Sequence, residues 1–309
     1  MTRRRRTRRL MLVPYCATAA LLALAACSDG AAPSGSTAFT TAQTTDIGNA
    51  GADEAQQAMD AFDVSAAANP QASVAAPSYG SSVAAYSPPG TSCATVSATA
   101  DADGDGARDS TVYTFALPAC QITGYRGGVL SLTGLVTITD PTPAAADFAY
   151  KAELKDFTFA LQGPAHGPSF TSVRNGSRQL TATAGGLTLT NQVTTVRSVT
   201  GRPDATLTHN LLLQFTPAQG STLAYGSPLP SGTFTKTGTL SWSRGAEQFT
   251  FNVTTPTPLV YDASCSGPHY ERITAGEVHL TLASGAYVKI VWSGCDVEPV
   301  HTFVPAPTT

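Results

Sequence analysis

The chain has 309 residues, of which 42% are hydrophobic and only 13% are charged, well under the roughly 25% of an average soluble domain. Six of its 18 basic residues lie between Arg3 and Arg9, so removal of that segment would leave 12 basic residues against 21 acidic ones, a net charge of about −9. Because affinity for a nucleic-acid backbone depends on Lys and Arg, this balance argues against nucleic acid as a partner.

Residues 1–26 have the three parts of a bacterial signal peptide. Basic residues come first, an apolar stretch follows over residues 10–24, and small residues end the segment. The apolar stretch is shorter than the roughly 20 residues that a membrane-spanning helix needs. A cleaved signal peptide is therefore predicted. Residues 7–12 also resemble a twin-arginine signal, so the general and the twin-arginine export routes both stay open.

The segment ends in Leu24, Ala25, Ala26 and Cys27, which resemble the lipobox of bacterial lipoproteins. The resemblance implies cleavage before Cys27, attachment of lipid (palmitate) to its thiol, and anchoring of the mature chain to a membrane of the cell envelope. Ser28 follows the cysteine, and the sorting rule of enteric bacteria then implies the outer membrane rather than the inner one. The alternative is an unmodified cysteine after an ordinary signal peptide.

Residues 27–90 are rich in Ala, Ser, Thr, Gly and Pro and contain few large apolar side chains. Such a composition buries too little surface to offset its ordering entropy, so a disordered, flexible tether is predicted. Residues 53–62 favour one short helix, with Asp53 and Glu54 at its start, where the helix dipole favours acidic side chains. Met59 and Phe62 would supply a docking face, and the alternative is a transient helix.

Residues 91–309 are predicted to form a single β-domain, because apolar and polar residues alternate with a period of two between turn signals. The pattern indicates roughly ten to twelve strands. Most connections are short, which favours an antiparallel sheet. The predicted fold class is all-β, an antiparallel meander forming either a sandwich or a curled, partly closed barrel.

Local features refine this prediction. A change of phase after Leu154 predicts a β-bulge near Lys155. Residues 211–213 are apolar on both faces of their strand, which predicts a central strand covered on both sides. Three dipeptides with glycine in second place are candidate tight turns: Arg244-Gly245, Ser284-Gly285 and Asn175-Gly176.

Four cysteines remain after the lipobox, and they permit three disulfide pairings. We predict that neighbours in sequence pair, because each bond would then close a local strand–turn–strand unit and contribute roughly 3–4 kcal/mol. A thiolate metal site is disfavoured because no C-x-x-C spacing is present. The predicted pairs are Cys93 with Cys120 and Cys265 with Cys295.

The strongest chemical motif is DADGDGARD at residues 101–109. Alternating aspartates, a glycine in sixth place and an acid in ninth resemble the start of an EF-hand calcium loop. The twelfth residue is Val112, where that loop has a bidentate glutamate. The motif is more similar to the aspartate-rich calcium loops of extracellular repeat modules. That resemblance implies a structural Ca²⁺ held by Asp101, Asp103, Asp105, Asp109 and the Ala107 carbonyl.

Two questions about this motif stay open. The missing bidentate acid would have to come from elsewhere in the chain or be replaced by water. The alternative to a calcium site is a solvated Asp-Gly turn between two strands, inside the segment that Cys93 and Cys120 close.

The whole chain resembles β-rich bacterial lipoproteins with a DxDGDG loop, a resemblance that implies no particular activity. The sequence contains no nucleophile elbow, HExxH, P-loop or dinucleotide motif, so a non-enzymatic structural or interaction module is favoured. The alternative is a carrier of an apolar ligand or lipid, with residues 234–253 lining the site. A glycan hydrolase would need paired acids, for which Glu271 and Glu277 are candidates. His209 is predicted to be a core histidine.

Overall fold

The computed structural model describes the following residues: 39–62, 93–105, 107–123, 129–145, 149–163, 169–223, 228–265 and 272–307. At residues 56–62, 122 and 123 it describes the backbone alone. The predicted signal peptide and Cys27 lie outside the described residues, as does most of the predicted tether.

One helix, α1 (Thr41–Phe62), precedes the strands. The described part of the chain contains thirteen strands: β1 (Thr95–Ala98), β2 (Ser110–Phe115), β3 (Gln121–Thr123), β4 (Val129–Thr139), β5 (Ala149–Gln162), β6 (Phe170–Thr183), β7 (Gly186–Val199), β8 (Ala205–Pro217), β9 (Gly232–Arg244), β10 (Glu247–Tyr261), β11 (Ile273–Thr281), β12 (Tyr287–Trp292) and β13 (Val300–Val304).

The strands form one antiparallel sheet in chain order. The sole departure in the described sheet is β3, which pairs with the first part of β4 while β2 pairs with the rest of it. The prediction of an all-β antiparallel meander is confirmed.

The sheet curls around the helix. Helix α1 contacts β6 and β7 on one side and β12 and β13 on the other. No backbone pairing joins β1 to β13 in the described residues, so the curled sheet is not closed. The strands make one sheet rather than two facing sheets. Of the two predicted forms, the structure therefore adopts the curled sheet and not the sandwich. Its concave face carries the core.

Alternation along each strand determines which side chains reach the concave face. In β8, Leu207, Leu211, Leu213 and Phe215 are buried, and the residues between them alternate toward solvent. Leu212 is 41% exposed. The prediction that this strand is covered on both sides is therefore wrong, because its outer face is open at Leu212.

Two local predictions have different outcomes. The bulge expected near Lys155 is confirmed, since the pairing of β5 with β6 shifts between Leu154 and Phe157 and Asp156 has a positive φ of 49°. The turn predicted at Asn175 and Gly176 is wrong. Both residues lie within β6, where a Cβ at Gly176 would stand 2.1 Å from the Gln192 carbonyl oxygen. The glycine permits close approach of two strands rather than a turn.

The other two turn predictions and the disulfides agree with the structure. Short turns join β9 to β10 after Arg244 and β11 to β12 around Gly285. Both predicted disulfides are present, with Cα–Cα distances of 5.0 Å for the first pair and 5.6 Å for the second: Cys93–Cys120 and Cys265–Cys295.

Helix α1 begins twelve residues before the predicted start. Thr40 caps it: the Gln43 amide donates to Thr40 Oγ1 (3.2 Å), and the Thr40 amide donates to Gln43 Oε1 (2.8 Å), a reciprocal capping box. Ile47 and Ala55 are fully buried in the core. This part of the predicted tether is therefore packed, and Asp53 and Glu54 lie in the middle of the helix rather than at its start.

Small residues let the helix lie close to the sheet, which is why the segment has the composition of a linker. A Cβ at Gly48 would stand 2.4 Å from Cγ of His301 in β13. A Cβ at Gly51 would stand 2.7 Å from Cδ1 of Ile290 in β12. Both distances are shorter than any ordinary contact, so larger residues would hold the helix away from the core.

Candidate functional site

The predicted calcium loop connects β1 and β2. Its base is closed by a hydrogen bond from the Asp109 amide to the Ala100 carbonyl (3.0 Å). Within the loop, each predicted aspartate accepts a backbone N–H through Oδ1: Asp101 from Gly104 (2.8 Å), Asp103 from Asp105 (3.2 Å), Asp105 from Ala107 (2.6 Å) and Asp109 from Ala102 (3.1 Å). These bonds fix the carboxylates in place.

Three of the four aspartates converge. One carboxylate oxygen each from Asp101, Asp103 and Asp105 lies within 4.8 Å of the other two. Partial burial raises the pKa of Asp105, and the charges of Asp103, Asp140 and Asp101 raise it further, against a hydrogen bond from Ala107. Such a cluster of like charges is relieved by a cation.

Asp140 is an acidic residue of this region that the sequence motif does not include. It follows β4, and its amide donates to the Asp109 carbonyl (3.3 Å). Its side chain is buried. Oδ1 accepts hydrogen bonds from the amide (2.8 Å) and hydroxyl (3.3 Å) of Thr142. Only the register of β4 on β2 brings it to the loop, so motif spacing could not reveal it.

A second group of charged residues lies on the concave face, under helix α1. Glu54 Oε2 is 2.6 Å from Lys236 Nζ, and both side chains are almost fully buried. Lys236 Nζ also donates to the Gly51 carbonyl (3.0 Å). Asp53, the residue before Glu54, has its Oδ2 2.8 Å from Arg197 Nη2, again with both side chains buried. These ion pairs join the helix to β7 and β9.

The buried pairs also set the ionisation of their neighbours. Burial raises the pKa of Glu54, but the charge and the hydrogen bond of Lys236 outweigh burial, and the pKa of Glu54 is lowered. Burial lowers the pKa of His209 to about 4, assisted by Lys236 and two arginines and opposed by Glu54. His209 is therefore a neutral core histidine at pH 7, as its place on the apolar face of β8 predicts.

The residues proposed to line an apolar site are packed instead. Phe234, Trp242 and Phe251 are at most 2% exposed. Phe39, just before the helix, contacts Phe249 with ring centroids 4.8 Å apart. The strands of residues 234–253 thus line a core that this chain fills itself.

The described surface also has an open groove of about 480 Å³ at one end of the strands, where β4 and β6 begin and β5 and β7 end. Its lining mixes apolar side chains such as Leu161 and Phe170 with Ser, Thr and Gln. Of the two acids considered for a hydrolase, Glu277 contacts His279 and Glu271 lies outside the described residues.

No helix in the described ranges is both long and apolar enough to cross a membrane. No family model, curated protein or solved structure compared with this chain matches it.

Proposed function

We propose that this chain is an exported lipoprotein of the cell envelope, attached to a membrane, preferentially the outer one, through Cys27. Two lines of support are independent of each other. Residues 24–27 have the lipobox pattern, and the β-domain holds two disulfides, which persist mainly in oxidising compartments outside the cytoplasm.

The β-domain acts, in this proposal, as a non-enzymatic structural or interaction module. The proposal of a non-enzymatic module is supported by one observation, that helix α1 fills the concave face. Ile47 and Ala55 are fully buried there, and Glu54 is paired with Lys236. The concavity in which a small molecule would bind is thus occupied by the chain's own side chains.

Metabolic labelling with an alkyne analogue of palmitate in a bacterial host tests the anchor. The wild-type chain should incorporate the label and sediment with membranes, whereas Cys27→Ser should do neither. Cys16→Ser is the matched control, because Cys16 also lies in the export segment but outside the lipobox, and it should label like the wild type. Equal labelling of the wild type and Cys27→Ser would refute the anchor.

A carrier of an apolar ligand or lipid is the second candidate. One observation favours it. Helix α1 packs on core residues such as Leu280 and Ile290 at Gly51, so undocking of the helix would expose these apolar side chains. Native mass spectrometry of the Cys27→Ser chain, which lacks covalent lipid, separates the candidates. The module predicts the mass of the polypeptide alone, and a carrier predicts an additional apolar molecule in stoichiometric amount.

A further inference from the structure

The chain enters the β-domain at one end of the strands. Phe39, with which the described chain begins, packs against Phe249 and Phe303, with ring centroids 4.8 Å and 5.2 Å apart. Gln43, in the first turn of α1, donates its Nε2 to Oε1 of Glu247 (2.7 Å), the first residue of β10. The helix therefore begins at the end of the sheet where β9 turns into β10, and we call this end the entry rim.

The strand pairing places every described turn at one of two rims. The entry rim carries the turns that join β7 to β8, β9 to β10 and β11 to β12. The opposite end, which we call the far rim, carries the turn between β6 and β7 and the acidic β1–β2 loop. Helix α1 runs from the entry rim toward the far rim. Asp46 contacts Arg244 at the entry rim, and Glu54 contacts Lys236, in the half of β9 nearer the far rim.

The segment between the predicted anchor and the domain is short compared with the strands. Phe39 follows Cys27 by twelve residues, which span at most about 43 Å at full extension of roughly 3.6 Å per residue. β10 has 15 residues, which make a strand of about 50 Å at roughly 3.3 Å per residue. A segment of this length brings the entry rim, rather than the far rim, to a bilayer that holds Cys27.

The charges of the two rims agree with this orientation. The acidic loop at the far rim has four aspartates against one arginine within residues 101–109, and Asp140 and Asp262 lie at the same rim. At the entry rim acids and bases are mixed, since Arg244 and Arg202 both contact Asp46. The groove at that rim has no charged side chain in its lining. Because an anionic lipid surface repels a cluster of carboxylates, the far rim is the less favourable one to place against it.

We propose that the entry rim faces the lipid bilayer and that the far rim, with the acidic loop, points away from it. This inference rests on the proposed anchoring through Cys27 and adds the surface of the domain that meets the membrane. The turns and the uncharged groove of the entry rim then lie next to the lipid headgroups, and the acidic loop is exposed to the surrounding solution.

Fluorescence quenching in vesicles tests the orientation. The full lipidated chain is reconstituted in vesicles of phosphatidylcholine and phosphatidylglycerol that contain a lipid with a nitroxide on its headgroup. A thiol-reactive fluorophore is attached to Ala246→Cys or to Ala184→Cys, and the four cysteines of the two disulfides do not react with it. The two variants are matched, because each alanine is exposed in a two-residue turn, Ala246 between β9 and β10 and Ala184 between β6 and β7.

The label in Ala246→Cys should lose most of its fluorescence, whereas the label in Ala184→Cys should keep it, because quenching requires close approach of the nitroxide. A chain that does not sediment with the vesicles would overturn both the anchor and the orientation. A chain that sediments with them but shows equal quenching in the two variants, or stronger quenching in Ala184→Cys, would overturn the orientation alone. Should either variant not fold, Ala283→Cys at the entry rim and Ala218→Cys at the far rim give the same comparison, since both alanines are exposed.

Discussion

The sharpest test of how helix α1 is held concerns the buried pair of Glu54 and Lys236. Lys236→Met fills the space of the lysine stem but removes the charge. Glu54 would then be a carboxylate buried in the core, with Asn191 at 3.4 Å as its remaining hydrogen-bond donor among the described contacts. Removal of one partner from a buried ion pair costs about 3–5 kcal/mol, so the free energy of unfolding should fall by that amount.

The double variant Glu54→Leu with Lys236→Met should recover most of this loss. Apolar residues of similar volume often replace a buried pair at no net cost, because neither charge then has to be desolvated. The surface pair of Lys151 and Glu153 is the matched control. Its side chains are 39% and 56% exposed, so Lys151→Met should cost at most about 1 kcal/mol.

Guanidinium unfolding followed by circular dichroism measures these free energies, and constant m values would show that each variant unfolds in the same two-state manner. The reasoning is refuted if Lys236→Met costs no more than Lys151→Met. It is equally refuted if the double variant costs the sum of its two single changes, since uncoupled residues cannot form the pair described.

Three further predictions follow from the helix, the core histidine and the disulfides. Gly48→Ala should destabilise despite a gain of about 1 kcal/mol in helix propensity, because its Cβ would overlap the His301 ring, whereas Thr45→Ala on the exposed side should not. The folded pKa of His209, about 4, lies below its ordinary 6.5, so the unfolded chain takes up the proton first, and about 3 kcal/mol of stability should be lost as pH falls from 6.5 to 4. In urea unfolding, His209→Leu should remove the larger part of this pH dependence, the rest belonging to His301, whose pKa burial also lowers. His279→Gln should retain the pH dependence of the wild type. Reduction of both disulfides should lower Tm, and an unchanged Tm would contradict their role in stability.

The sequence patterns that predicted the strands and turns of the sheet were local ones. Alternation along β8, the change of phase after Leu154 and the glycine turn after Arg244 each involve neighbouring residues, so they were readable without tertiary information. The disulfides were predictable for the same reason, because each closes one short segment. The turn predicted at Gly176 failed because a glycine that admits a neighbouring strand has the same sequence signal as a glycine that makes a turn.

The features that escaped prediction depend on distant contacts. Gly48 and Gly51 looked like linker residues because only the positions of His301 and Ile290 explain their size. The capping box at Thr40 and Gln43 was a readable signal for the helix start. The burial of Lys236 could not be predicted from the sequence, since its pairing with Glu54 depends on how the sheet curls.

The acidic loop illustrates both kinds of feature. Its three clustered aspartates were recognisable from spacing alone. Asp140 became visible only through the register of β4 on β2. The sequence motif therefore predicts the clustered carboxylates, whereas the position of Asp140 beside the loop depends on the pairing of the strands.

Helix α1 packs as part of the β-domain and fills its concave face. Hydrogen exchange of the backbone amides of residues 44–55 tests it most directly. These amides should be protected about as strongly as the amides in β7 and β8, because the helix can open only when its buried ion pairs and core contacts are lost. Protection factors below about ten for the helix amides, with the strand amides still protected, would show that the helix is not packed on the sheet.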